Sequence, residues 1–284
     1  MITVNIGGVP EHFNLAWYLT LKEGAYKKEG INLRWKDFYG GTGQMCKALR
    51  DEEIDLAVIL TEGIVKDIIA GNKSKIVQVF VNSPLIWGIH VAGNSNVGSI
   101  SDLKGKKAAI SRYGSGSHLM AFVNAKMSDW DLQNDLKFEV VKNLDGAVEQ
   151  LQKGNADYFM WEKFTTKPLV DDGTFKHIAD CPTPWPCFVI AVRESFIKNE
   201  KDVLKTILKI INTTTKEFKQ IPSIDTMIAN RYGQKLDDVK QWLRLTEWSQ
   251  SQIDSAILSQ IQDQLFDLGI ISEKFSVSRL VANL

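Results

Sequence analysis

The residues with the most chemical promise lie in two short loops. Gly114-Ser115-Gly116-Ser117-His118 separates a short apolar run from an apolar-periodic one, and Gly40-Gly41-Thr42-Gly43 occupies a similar place earlier in the chain. Glycine leaves backbone N–H groups open to a ligand, and hydroxyls at a helix start add further donors. Such a loop can hold an anionic or strongly polar group without any charged side chain. The plainer reading is a glycine-rich turn in which Ser117 caps the helix that follows. Two carboxylates raise a similar choice. Glu62 follows Thr61 at the end of an apolar run, and Glu162 follows Trp161. A carboxylate at a helix N-terminus is favoured by the dipole alone; the alternative is an acceptor for a ligand amino group or ring nitrogen.

Other candidates are single residues. Trp161 and Trp185 can sandwich a planar or cationic group, and Pro184 and Pro186 fix the backbone around Trp185. His12 and His118 fall in loops, with a partly exposed polar residue as the plain alternative for each. Ser83 is a candidate by position, in a turn between two strand-like runs. Cys46 and Cys187 read as buried small apolar residues. The four histidines are dispersed and the three cysteines lack a CxxC pair, so neither a metal site nor a disulfide framework is expected. No Ser-His-Asp set or clustered base stands out. Lys47, Lys66 or Lys163 could hold a cofactor aldehyde as a Schiff base, but no cofactor is expected.

The elements that must position these residues follow an alternating pattern. Strand-like runs 2–6, 31–35, 55–60, 75–81 and 85–91 alternate with helical spacing over 15–26, 44–50 and 62–70. After the turn-rich stretch 93–99 a second series begins: strands 107–111, 136–141, 156–160 and 175–179, with helices over 117–126 and 145–153. The proline-rich segment 181–187 is expected to break regular structure. From residue 203 onward the pattern is almost wholly helical, with a stripe at Ile253, Ile257, Ile261 and Leu265. The expected fold class is α/β with two lobes, each a mixed sheet flanked by helices, and a C-terminal helical block. Lobe I takes 1–92 plus 188–284 and lobe II takes 93–187, with crossovers near 90–98 and 181–190. Clefts between such lobes are where ligands bind.

Composition narrows the function classes. At 284 residues with 44% hydrophobic and 24% charged content, the chain reads as an ordinary globular protein. Thirty-four cations balance thirty-four acids, which argues against a nucleic-acid binder. No apolar run approaches the length of a membrane span. Met1 leads directly into a strand-like run with no secretory signal ahead of it. A periplasmic or cell-surface location is expected if a signal or anchor was removed, and a cytoplasmic one otherwise.

Five segments, in order, carry a resemblance: LAWYLTLKEGAYKKEGINLRW, YGGTGQMCKAL, EEIDLAVILTEGIV, SISDLKGKKAAISRYGSGSHLM and GNADYFMWEKF. Together they resemble the solute-binding proteins of the nitrate, sulfonate, taurine and thiamine-precursor ABC importers, and the related thiamine-pyrimidine synthases. The resemblance implies the type 2 periplasmic-binding-protein fold, a hinge motion that closes the lobes over a ligand, and a lining around Pro10 to His12, Thr42, Gly43, Thr61, Glu62, Ser115 to His118, Trp161 and Glu162. The implied function is binding of a small polar organic molecule, an aminopyrimidine-like thiamine precursor or a sulfonate, by a monomer that can deliver it to an ABC permease. The Cys-rich motif of the synthases is absent. An enzyme on the same fold, such as a pyrimidine-precursor synthase, is the alternative. A transcriptional sensor domain is set aside, because no helix-turn-helix precedes the first strand.

Overall fold

In the computed structural model, which describes residues 1–284 throughout, the chain divides into two compact units. The first comprises Met1–Ser83 and Trp185–Leu284, and the second Pro84–Pro184. Each contains one five-stranded mixed sheet flanked by helices.

The first unit begins with β1 (Ile2–Gly8), α1 (Leu15–Lys22), α2 (Ala25–Lys28), β2 (Ile31–Asp37), α3 (Gly41–Arg50), β3 (Leu56–Leu60), α4 (Thr61–Ile69) and β4 (Ser74–Val81). The second unit contributes β5 (Ile86–Ala92), β6 (Lys107–Ile110), α5 (Gly116–Met127), β7 (Lys137–Val140), α6 (Leu144–Gln152), β8 (Tyr158–Glu162), α7 (Lys163–Asp171) and β9 (Phe175–Pro182). The chain then returns to the first unit with β10 (Phe188–Arg193), α8 (Glu194–Asn199), α9 (Lys201–Glu217), α10 (Ile224–Tyr232), α11 (Leu236–Leu245), α12 (Ser255–Asp267) and α13 (Val277–Leu280). Strand order is β2-β1-β3-β10-β4 in the first sheet and β7-β6-β8-β5-β9 in the second.

The central strands explain why their sequences read as unbroken apolar runs. β3 and β10 pair antiparallel, Leu56 opposite Val192 through Leu60 opposite Phe188. Leu56, Ala57, Val58 and Ile59 are sealed from solvent, as are Val189 to Val192. Such burial requires cover on both sheet faces and leaves no polar alternation. No helix is long and apolar enough to cross a membrane.

Four details differ from the sequence expectation. The run 15–26 is two helices, because Gly24 adopts a left-handed conformation (φ 67°) between them. β5, expected in the first lobe, pairs with β8 and β9 in the second sheet. The division therefore falls at 83/84 and 184/185 rather than at 92/93 and 187/188. Strand β9 continues into the proline-rich segment, with Pro182 opposite Ile86 as its last residue, a strand-end position where proline is tolerated. Finally, Ile253 lies ahead of α12, whose buried face is carried by Leu258, Ile261 and Leu265, while Ile257 stays partly exposed.

Candidate functional site

In the first unit β1, β2 and β3 run parallel, and β10 is antiparallel to both β3 and β4. The carboxyl ends of β1 to β4 therefore open on one edge of the sheet, together with the amino end of β10. That edge receives the loops carrying His12, Thr42 with Gly43, Thr61 with Glu62, Ser83, and Trp185. In an open α/β sheet this is the edge where ligands bind.

Glycines bring these loops close. A Cβ on Gly8 would lie 2.4 Å from the Trp35 ring, and one on Gly7 would lie 2.4 Å from the Phe38 ring. A Cβ on Gly63 would lie 2.3 Å from Thr42 Cγ2, so the first turns of α3 and α4 pack directly on each other. Thr61 Nα donates to the Cys187 carbonyl at 3.1 Å, and its Oγ1 donates to the Pro186 carbonyl at 2.5 Å. These bonds fasten the segment before β10 to the start of α4.

Glu62 is 2% exposed. Its Oε2 accepts a hydrogen bond from Trp185 Nε1 at 2.8 Å, while its Oε1 is buried with no hydrogen-bond partner. Burial pushes this carboxyl up to about 7, against the opposing pull of a backbone N–H and the Trp185 indole. Trp185 itself is 2% exposed. Its ring is sealed from solvent, with its indole N–H committed to Glu62.

His12 is also buried rather than loop-exposed. Its ring stacks on Phe13 at 4.8 Å and meets the Trp242 edge at 4.3 Å. That apolar cage drives its pKa down to about 3, keeping it neutral. Thr42 and Gly43 are half-buried in the first turn of α3, which starts at Gly41, three residues earlier than expected. Ser83 is half-buried; its Oγ accepts from the Glu247 N–H at 3.1 Å.

In the second unit β6, β7 and β8 are parallel, and β5 is antiparallel to β8 and β9. The carboxyl ends of β6 and β8 place Ser115 to His118 and Trp161 with Glu162 on one edge. Gly114 takes a left-handed turn (φ 73°) that only glycine adopts readily. Ser115, not the expected Ser117, caps α5, its Oγ accepting from the His118 N–H at 3.3 Å. Ser117 Oγ accepts from Ser111 N–H at 3.0 Å and lies 3.1 Å from Ser115 Oγ. Gly116 opens the helix. His118 Nδ1 accepts from Gly114 N–H at 3.0 Å, which places the neutral ring's hydrogen on Nε2. The ring sits among Tyr113, Phe122 and Phe138.

Trp161 is half-buried, stacked on Phe159 at 5.3 Å and edge-on to Trp87 at 6.4 Å. Glu162 is 3% exposed and caps α7, its Oε2 accepting from Thr165 N–H at 2.6 Å and Thr165 Oγ1 at 2.8 Å. Burial nonetheless pushes it up to about 7, outweighing those two bonds. Lys163, its neighbour in sequence, pairs with Asp180 at 2.7 Å. The three cysteines are buried free thiols, and no three His, Cys, Asp or Glu side chains are grouped to hold a metal ion.

Some residues at these edges escape a reading by residue type. Tyr39 is 79% exposed and Tyr113 66% exposed. Each stands just ahead of its loop's glycine, a Tyr-Gly pair visible in both sequences. At the carboxyl end of β2, Asp37 accepts from Trp35 Nε1 at 2.8 Å and from the Tyr18 hydroxyl. Arg231, from the last turn of α10, lies over the Tyr18 ring at 4.1 Å. No local motif points to that pairing, because it joins residues more than two hundred positions apart.

Comparison with known proteins agrees with this architecture. The Candida albicans CA3427 gene product, described as defining a new family with the generic periplasmic binding protein fold, superposes with a TM-score of 0.90. It is 25% identical, and the match covers 100% of this chain and 98% of that one. The chain has the periplasmic binding protein fold. Residues 87–181, nearly all of the second unit, match the family described as Ca3427-like PBP. The alkanesulfonate-binding protein SsuA from Xanthomonas axonopodis pv. citri, solved bound to MOPS, shares the fold at a TM-score of 0.85 and 16% identity, covering 100% and 99% of the two chains. A Bacillus subtilis (strain 168) protein assigned by name to aliphatic sulfonate binding is 25% identical over 193 residues. That match covers 67% of this chain and 57% of the relative, so the chain matches just over half the relative's length. The fold is thus accompanied by a similarity to solute-binding proteins of the sulfonate type.

Proposed function

We propose that this protein is a solute-binding protein for a small organic anion of the sulfonate class. The observation that carries the reading is the composition of the two sheet edges. In each unit, taken separately, helix starts and hydroxyls stand at the carboxyl ends of parallel strands: half-buried Thr42 and buried Thr61 in the first, buried Ser115 and Ser117 in the second. Helix N-termini offer N–H groups and positive potential to an anion without the desolvation cost of a buried cation. The names of the sulfonate-binding relatives point to the same ligand class. On this reading the exposed Tyr39 supplies apolar contact for the organic part of a ligand at the first unit's edge. The protein acts as a monomer and hands its ligand to an ABC permease outside the cytoplasm.

One observation favours a second ligand class. Glu62 Oε1 is a buried acceptor with no donor, which an aminopyrimidine, a thiamine-precursor type of ligand, would satisfy. The test is a thermal-shift and calorimetric screen of the purified protein against alkanesulfonates, nitrate and aminopyrimidines. A ligand at a hundred times its Kd adds about 2.7 kcal/mol of stability. Stabilisation by sulfonates alone, with the compound recovered unaltered, is the expected result. Stabilisation by aminopyrimidines alone would replace the sulfonate reading, and turnover of any compound would replace binding with catalysis.

A further inference from the structure

We infer that Glu62 meets the bound anion as a neutral carboxylic acid, donating an O–H hydrogen bond from Oε1, so that ligand and proton bind together. The inference rests on the sulfonate reading and specifies the chemistry of one contact within it.

The two Glu62 oxygens have different hydrogen-bond roles. An indole N–H can only donate, so the Glu62 oxygen facing Trp185, Oε2, must accept. A proton on this carboxyl therefore resides on Oε1. That oxygen is buried, has no partner, and lies in the first turn of the nine-residue helix α4. A lone ionised carboxylate in such a place would repel an anion and lacks a counter-ion. A protonated one supplies the missing donor.

The charged groups on the surrounding elements are engaged elsewhere. β3, β10, α3 and α12 pack against α4. Asp55, just before β3, pairs with Arg193 at the end of β10, far from the strand end where Glu62 begins. On α3, Lys47 pairs with Asp51 and Arg50 with Asp67 of α4. On α12, Asp263 pairs with Lys274, and Asp267 lies at the helix's last residue. Lys66, one turn further along α4, has its own interaction. The upward displacement of the Glu62 pKa comes from burial, and no charged neighbour enters among its causes. Glu162, the matching acid of the second unit, is not a candidate for this role, because Thr165 already feeds its Oε2 two donors.

The proton comes from solvent. Where free Glu62 is ionised, each anion bound draws one proton from the buffer onto Oε1; where it is already neutral, none is taken up. Titration calorimetry with ethanesulfonate tests this between pH 6 and 9, in two sulfonate-free buffers of different ionisation heat. The wild-type affinity is expected to fall about tenfold per pH unit above the carboxyl's titration, with uptake approaching one proton per ligand at pH 9. Glu62→Gln keeps an N–H donor and an acceptor for Trp185 but cannot titrate. It should lose both the pH slope and the buffer-dependent heat, and at pH 9 bind more tightly than wild type. A flat wild-type affinity without buffer-dependent heat overturns the inference and leaves the sulfonate reading standing. A slope that persists in Glu62→Gln overturns it as well. Should that variant fail to fold, the wild-type buffer heats decide alone. If ethanesulfonate and every other anion fail to bind at any pH, the sulfonate reading falls and takes the inference with it.

Discussion

Gly63→Ala is the substitution that best tests how the first unit assembles its loops. Two effects oppose each other. In a helix, alanine is favoured over glycine by about 1 kcal/mol through backbone entropy. At residue 63, however, the new Cβ would sit 2.3 Å from Thr42 Cγ2, far inside contact distance, and 3.4 Å from Thr42 Cβ. Inserting a methyl into such a contact typically costs about 1–3 kcal/mol. The net effect should be about 0–2 kcal/mol of lost stability in urea unfolding and a Tm lower by up to about 8 °C. The decisive measurement is the same substitution in a Thr42→Ser background. Serine removes Cγ2, the remaining approach becomes an ordinary contact, and Gly63→Ala should turn neutral or stabilising by up to about 1 kcal/mol. The double-mutant cycle should therefore show a coupling of about 1–3 kcal/mol. Equal destabilisation in both backgrounds would refute the direct packing of α3 on α4, and with it the geometry that brings Thr42 beside Glu62's helix.

Two further outcomes follow from single contacts. Ser117→Ala removes the acceptor of the buried Ser111 N–H; it should cost about 1–3 kcal/mol, with faster hydrogen exchange at the Ser111 amide, and unchanged exchange there would count against the contact. Glu162 is displaced from 4.5 to about 7, so the fold prefers its neutral form, and its stabilising contribution is complete below pH 4.5 and lost as pH rises through 7. Fully ionised, it should cost the native state about 3 kcal/mol. Glu162→Gln should gain on wild type by up to that amount between pH 4.5 and 8, less whatever its weaker cap gives away. His12 and His90, held neutral with values near 3 and 4, produce the opposite trend and destabilise the fold as pH falls below 6.5. The comparison is therefore variant against wild type at each pH; a pH-independent difference would contradict the burial argument.

The alternation of apolar runs and helical spacing was enough to read two α/β units and a helical block, because periodicity reports which face is buried. It was not enough to assign β5. Leu85 to Val91 is apolar apart from His90, as suits a buried strand, and nothing in such a run says which sheet it joins. The loop motifs were legible for the same local reason: glycine and hydroxyl before a helix is a short-range signal. What burial does to a side chain was not legible. His12 and Trp185 stand in loop-like sequence next to prolines and glycines, yet both are sealed. Their partners, Trp242 for His12 and Glu62 for Trp185, come from more than a hundred residues away. Likewise Gly7, Gly8 and Gly63 look like flexible links in sequence, and only the rings and methyl that occupy their missing Cβ positions explain them.

The two acids show how finely register decides a role. Thr61-Glu62 and Trp161-Glu162 both end a buried strand and open a helix, and both carboxyls are pushed to about 7 by burial. Yet α7 begins one residue after Glu162, which makes that residue the cap, whereas α4 begins at Thr61, one residue before Glu62. A cap side chain folds back onto the N–H groups of its own helix. Glu162 does so, and its third neighbour, Thr165, adds a hydroxyl. Glu62 stands inside the helix, and its third neighbour is Val65, which has no hydroxyl to give. Glu62's side-chain donor comes from far along the chain, the Trp185 indole on Oε2, and Oε1 has no partner. A shift of two positions relative to the helix start thus separates an acid consumed by its own helix from one that leaves an oxygen unpaired.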